Sequence, residues 1–253
     1  MKTTHVPTPN LYINSLKNKI MKSISLRTKY GLVAALVCIK LANPAHAATV
    51  SGPSGALNST EAGQIQNWIN EGEITFTRIF SKQVDGGSAA TFHALCDGVG
   101  PTVSILTLSN GFKIGGYNPQ SWNSNDRAYN ITPNAVDWKA FIFNIGSNTV
   151  YRQFTQNQTY SFGNEKGPIF GSGFDLVVED DISSGATNLG HAYGDSSQYG
   201  QTAYRNAFAG SSFFGITNME VFTVVSVPEP SSTALLGLGG LALLMRRHRL
   251  RHI

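Results

Sequence analysis

The sequence predicts a mostly β chain of the α+β class: a two-sheet β-sandwich flanked by short helices, followed by one C-terminal transmembrane helix. Three observations lead there. Short apolar or alternating runs are separated by turn-forming residues, with glycine alone at 26 of the 253 positions. Helical periodicity is confined to two segments early in the chain. An uncharged apolar stretch followed by a basic tail closes the chain.

Residues 48–57 (ATVSGPSGAL) are small and read as a linker. Ser59 or Thr60 is placed to cap a helix running to Asn70, with Ile65, Trp68 and Ile69 on one face. Residues 74–80 (ITFTRIF) alternate as a half-buried strand. Residues 88–96 (SAATFHALC) read as a second helix, with Ala89, Phe92 and Cys96 aligned. Strands then dominate. Residues 102–108 (TVSILTL) lead through the turn Ser109-Asn110-Gly111-Phe112 into residues 113–117. Residues 139–145 (KAFIFNI), 175–179 (DLVVE) and 219–225 (MEVFTVV) are further strands. Residues 58–225 are long enough for one core and read as one domain.

The two ends are of another kind. Val227-Pro228-Glu229-Pro230-Ser231-Ser232 precedes residues 233–245 (TALLGLGGLALLM) and the basic tail 246–253. Pro228 and Pro230 fix φ and lack an amide donor, which leaves Glu229 on a stiff strip outside any helix or central strand. Residues 233–245 are the expected transmembrane helix, short for the purpose at ~1.5 Å per residue, with the tail arginines left in the cytoplasm. At the other end, residues 1–47 read as a secretory signal peptide with a start that is too early, Met21 being the better one. Residues 22–29 form a positive region, residues 30–39 are apolar, and Ala45-His46-Ala47 is a small-x-small site for cleavage between Ala47 and Ala48. The segment 226–232 is read as the processing motif.

Charge follows the same division. The whole chain has a formal net charge of +4, but residues 48–227 hold 8 Lys+Arg against 14 Asp+Glu. The exported body is acidic, which argues against a nucleic-acid partner. Cys38 lies in the signal segment, so the body keeps Cys96 alone and forms no internal disulfide.

Two resemblances rest on these residues. Val227 to Ser232, the apolar run and the arginines resemble the PEP-CTERM sorting signal of Gram-negative bacteria. This implies an exosortase-type processing protease as partner, transient anchoring in the membrane by the C-terminal helix, and delivery to the cell surface or extracellular matrix. In the body, Phe92-His93-x-x-Cys96-Asp97-Gly98-x-Gly100-Pro101-Thr102, Gly115-Gly116-Tyr117, Gln120-Ser121-Trp122 and Ala140-Phe141-Ile142-Phe143 come in order. Gly167-Pro168-x-Phe170-Gly171-x-Gly173-x-Asp175-Leu176, Asn188-Leu189-Gly190-His191-x-Tyr193 and Met219-Glu220-Val221-Phe222 follow. Together they resemble a TLDc domain, whose fold is a β-sandwich flanked by helices. In eukaryotes that family is associated with oxidation resistance and, in some members, with binding the vacuolar proton pump. It brings no settled catalytic residue and no cofactor to this chain.

Candidate sites each carry two readings. His93 and Cys96 lie on one helical face, as a thiol with its base or as core packing. Tyr117, Trp122, His191 and Tyr193 are candidates for a ligand cleft in which aromatics stack on sugars, or for core positions. Gly115-Gly116 and Gly171-x-Gly173 shape a cleft or permit close backbone approach. His93, His191 and Asp175 do not have a spacing that demands a metal, and Glu179-Asp180-Asp181 reads as a solvated turn rather than a calcium loop. Three functions are in contention. The first is a non-enzymatic envelope or extracellular-matrix module associated with exopolysaccharide and biofilm. The second is an oxidative-stress protein with thiol peroxide chemistry at Cys96, and the third is a docking module for an envelope protein.

Overall fold

The computed structural model describes residues 48–125 and 127–227. Strand β1 (Thr49–Ser51) runs parallel to β2 (Glu73–Ser81), with helix α1 (Ser59–Ile69) between them in the chain. Asn58, not Ser59 or Thr60, caps α1. Its carboxamide accepts from the Glu61 amide at 3.0 Å, and the Glu61 carboxylate returns to the Asn58 amide at 3.0 Å, a reciprocal capping box. Asn70 ends the helix in the left-handed region at φ 58°. After the single turn α2 (Lys82–Asp85) comes α3 (Ala89–Cys96), capped by Ser88 Oγ at the Thr91 amide. Its buried residues Ala89, Phe92, His93 and Cys96 fall at i, i+3, i+4 and i+7, one face of a helix.

The remaining elements are β3 (Thr102–Leu108), β4 (Lys113–Asn118), β5 (Tyr129–Ile131), β6 (Phe141–Asn144), β7 (Thr149–Arg152), β8 (Asn157–Tyr160), β9 (Ile169–Phe170), β10 (Leu176–Val178), β11 (Ser184–Ala186), α4 (Thr202–Ala209) and β12 (Phe213–Val227). The first sheet runs β1-β2-β12-β3-β4-β6-β7, antiparallel except at β1–β2. The second runs β5-β8-β9-β10-β11 and joins the first through β12, because Phe213–Gly215 pair with β11 while the rest of β12 pairs with β2 and β3.

Both faces of the first sheet are covered, so its central strands are buried almost throughout rather than alternately. On the inner face, Leu106, Leu108, Ile114 and Val221 pack with Phe92 of α3, Phe208 of α4, and Phe170, Leu176 and Val178 of the second sheet. On the outer face, Val103, Ile105, Tyr117, Phe141, Phe143 and Phe222 pack beneath Ala62 and Ile65 of α1. Each large apolar side chain so buried contributes roughly 1.5–3 kcal/mol. Gly115 and Gly116 lie back to back on β4, and each admits one ring. A Cβ on Gly115 would stand 2.7 Å from Phe143 Cζ, and a Cβ on Gly116 would stand 2.4 Å from Phe170 Cζ. Phe170 belongs to the second sheet, so Gly116 sets how closely the two sheets approach.

Residues 48–57, read from the sequence as a linker, are built into this arrangement. They contain β1, and Ala56 and Leu57 are buried. Glu220 of β12 holds them. Its buried carboxylate accepts from Ser54 Oγ at 2.7 Å and from the amides of Gly55 and Ala56 at 3.2 and 3.1 Å. Arg78 supplies the countercharge at 3.4 Å.

One expectation is corrected. Among the described residues no helix is long and apolar enough to cross a membrane. Residues 233–245 lie outside the described residues, and their 13 positions reach only ~20 Å as a helix against a hydrocarbon core of ~30 Å. The C-terminal transmembrane helix, and with it the membrane as a partner through transient anchoring, is therefore withdrawn. The signal segment with Ala47, and Pro228, Glu229, Pro230 and Ser231 of the processing motif, also lie outside the described residues.

Gly116→Ala is expected to lower stability by about 1–3 kcal/mol through overpacking against Phe170. The urea midpoint checks it, and an unchanged midpoint would show that the sheets separate freely at this point.

Candidate functional site

Asp175 stands just before β10 and is fully buried. Its Oδ1 accepts from the amides of Gly190, His191, Ala192 and Tyr193 at 3.0, 2.9, 3.1 and 3.2 Å, and its Oδ2 accepts from Ala192 at 3.0 Å. A run of successive amides around one carboxylate is a backbone nest filled from within. It ties the segment 190–193 to the turn 171–175. Gly171 begins that turn at φ +81°, where a Cβ would lie 2.1 Å from Asp175 Oδ2. Burial pushes the Asp175 carboxyl up from 3.8 to about 6, while the amides of Ala192, Tyr193 and His191 pull the other way.

Above this anchor the two tied segments present polar and aromatic side chains. Ser172 Oγ lies 3.0 Å from His191 Nδ1, and the exposed His191 ring meets Tyr199 edge-on at 5.4 Å. Asn188 donates to Gly173 O at 3.1 Å and to the Tyr199 hydroxyl at 3.3 Å. In the other direction, the Tyr129 hydroxyl donates to Ser172 O at 3.1 Å. Tyr129 meets Tyr160 edge-on at 4.6 Å, and Tyr160 meets Phe162 at 5.5 Å and Phe174 at 6.0 Å. Phe174 holds φ +58°, an uncommon conformation for an aromatic residue that costs ~1–3 kcal/mol. The Arg127 guanidinium lies 5.2 Å over the Phe162 ring and pairs with Glu165. The result is a partly exposed aromatic strip reaching from Arg127 to Tyr199.

The sequence-derived candidates fall differently. Tyr117, Trp122 and Tyr193 are buried, 2%, 3% and 0% exposed. Trp122 donates its indole N–H to Thr102 Oγ1 at 2.8 Å and packs edge-on against Phe92 and Phe170. The Tyr193 hydroxyl donates to Gln158 O at 2.6 Å. Burial raises the Tyr193 phenol well above its ordinary value. Tyr117 belongs to the outer core, beneath α1, and Trp122 and Tyr193 to the inner one. Of the four only His191 reaches the surface, so they do not meet in one cleft. Clefts of about 500 and 680 Å³ lie against α1, and none of the four lines either.

His93 and Cys96 share the buried face of α3, but both imidazole nitrogens of His93 are taken. Nδ1 bonds Asp97 Oδ1 at 2.7 Å, and Nε2 bonds Lys166 O at 3.0 Å. Cys96 is 0% exposed. Burial first, then the charges of Asp97 and Asp85, push its thiol far above the ordinary range, so it stays protonated and a poor nucleophile. Among the described residues no three His, Cys, Asp or Glu side chains converge as a metal site.

Two outcomes follow. Asp175 binds its proton more tightly in the folded state, so its contribution to stability is fully present below about 3.8 and lost as pH rises through about 6. Asp175→Asn is expected to flatten that part of the stability-against-pH profile. It should also cost about 1–3 kcal/mol, because an amide NH₂ would face backbone donors. Denaturant unfolding from pH 3.5 to 7.5 checks both. Maleimide labelling followed by peptide mapping is expected to leave Cys96 unmodified in the native chain and to modify it fully in denaturant.

Comparison with known families accords with this architecture. A TLDc domain model matches residues 50–225, and a PEP-CTERM protein-sorting motif matches residues 226–249. No curated protein matches the chain. The first match runs from Val50 of β1 to Val225 of β12, and the chain belongs to the TLDc domain family and carries a PEP-CTERM-type sorting signal at its C-terminal end.

Proposed function

We propose that this chain is an exported, non-enzymatic TLDc module sorted to the cell surface, where it works in the envelope or extracellular matrix. The observation that carries the reading is the junction at β12. The last core strand runs to Val227, and the sorting motif begins at 226. The folded domain thus passes directly into the sorting signal, and what the signal delivers is the sandwich itself. Exosortase-type processing is the general association of such a signal, with the cell surface or matrix as the destination.

The non-enzymatic part rests on how the reactive groups are used. Asp175 spends both oxygens on backbone amides, and His93 spends both nitrogens on Asp97 and Lys166. Cys96 is sealed in the core and stays protonated. Thiol peroxide chemistry at Cys96 needs an accessible thiolate and a free base, and the geometry favours neither.

Immunolabelling of intact cells is expected to find the chain outside, and removal of residues 226–253 is expected to abolish that labelling. Equal labelling of the truncated chain would overturn sorting by this signal. Deletion of the gene is expected to reduce matrix mass, and an unchanged mass would overturn the matrix role.

A further inference from the structure

We infer that the aromatic strip from Tyr129 to Tyr199 is a binding surface for a neutral polysaccharide, a refinement that rests on the extracellular reading above. Tyr129 and Tyr199 are 38% and 48% exposed, whereas Tyr117 and Tyr193 finish the two cores at 2% and 0%. The exposed tyrosines are therefore not needed to fill the interior.

They are nevertheless held in place. Tyr129 is fixed by its ring contact with Tyr160 and by its hydroxyl bond to Ser172 O. Tyr199 is fixed by the His191 ring and the Asn188 amide. Rings already ordered lose little conformational entropy when a ligand arrives. Phe174 is kept at φ +58° within the same group, and its ring meets Tyr160 and Phe162.

The chemistry of the strip selects the ligand class. An aromatic ring offers an apolar surface to the C–H face of a pyranose, while Ser172, His191 and Asn188 offer donors and acceptors to its hydroxyls. Charge excludes the main competitor. The cation of the strip, Arg127, is neutralised by Glu165, and residues 48–227 carry 14 Asp+Glu against 8 Lys+Arg. A polyanion such as an acidic polysaccharide or a nucleic acid would be repelled. The strip is assembled from β5, β8, the turn 171–174 and the segment 188–199. Its contacts follow one another, which suits several units of a polymer better than a single sugar.

The test is affinity electrophoresis of the full chain through gels containing dextran, amylopectin, hydroxyethyl cellulose or glucomannan, with alginate and hyaluronate as acidic counterparts. Retardation by at least one neutral polymer and by neither acidic one is expected. Tyr129→Ala and Tyr199→Ala should each weaken retention about tenfold or more, a loss of ~1.4 kcal/mol. Val84→Ser, at a 69% exposed position on α2, which packs against β2 and β12, should retain binding. Thermal melting of each variant separates lost binding from lost folding, and Tyr199→Phe, which keeps the ring, should keep most of the retention. Retardation by no neutral polymer, retention only on the acidic ones, or equal retention by both alanine variants would each overturn the proposal. If none of these gels retards a chain that is found on the cell surface and whose deletion reduces matrix mass, the strip assignment falls and the surface function stands. If the chain is absent from the cell exterior yet binds a neutral polymer, the sorting reading falls instead.

Discussion

Every backbone amide and carbonyl in the interior needs a partner, and one strand, β12, joins the two sheets in which most of them find one. β12 supplies the edge of the second sheet with its first three residues and a central position in the first sheet with the rest. Its register with β3 shifts between Ile216 and Asn218, and with β2 between Val221 and Phe222. These irregularities lie along the strand that serves both sheets. Phe214 and Met219 consequently face the inner core, while Phe222 and Val224 face the outer one. A one-residue slip would reverse those faces and expose both cores.

Two buried carboxylates extend that frame outward. Glu220, on β12 itself, gathers the amides and hydroxyl of residues 54–56 and so seats the N-terminal segment on the outer face. Asp175 gathers the amides of residues 190–193 and so seats the loop that carries His191. Each spends its charge on backbone donors that would otherwise be buried without acceptors. Acidic side chains that a search for catalysis would single out are here structural, and the surface they support carries the aromatic strip.

That division of labour agrees with the family and the sorting signal. In the TLDc sandwich Cys96 is buried and the polar atoms of His93 and Asp175 are occupied, and a sorting signal follows β12. Tyr129 and Tyr199 stay partly exposed at its surface, each held by a hydrogen bond and a ring contact.

Periodicity and turn chemistry are local, and what depends on them was legible in the sequence. The helices over α1 and α3 and the strands β2, β3, β4 and β6 were all readable, because each carries enough apolar residues in one period to declare its face. The sorting signal was legible because proline, apolar and basic blocks act in linear order. By contrast β5, β8 and β11 (YNI, NQTY, SGA) are short and polar, and α4 (TAYRNAFA) buries only Phe208 and Ala209. No local pattern marks them, since pairing with distant strands makes them what they are. The aromatic candidates show the same limit. Tyr117 follows Gly116 and is enclosed, while Tyr199 precedes Gly200 and is exposed, so only tertiary packing decides which rings are enclosed. The residues alone determined the mostly β character of the α+β domain, the family and the sorting signal, though not the expected transmembrane helix; burial depends on what arrives from elsewhere in the chain, so the roles of Asp175, Cys96 and the exposed tyrosines were decided by the tertiary structure.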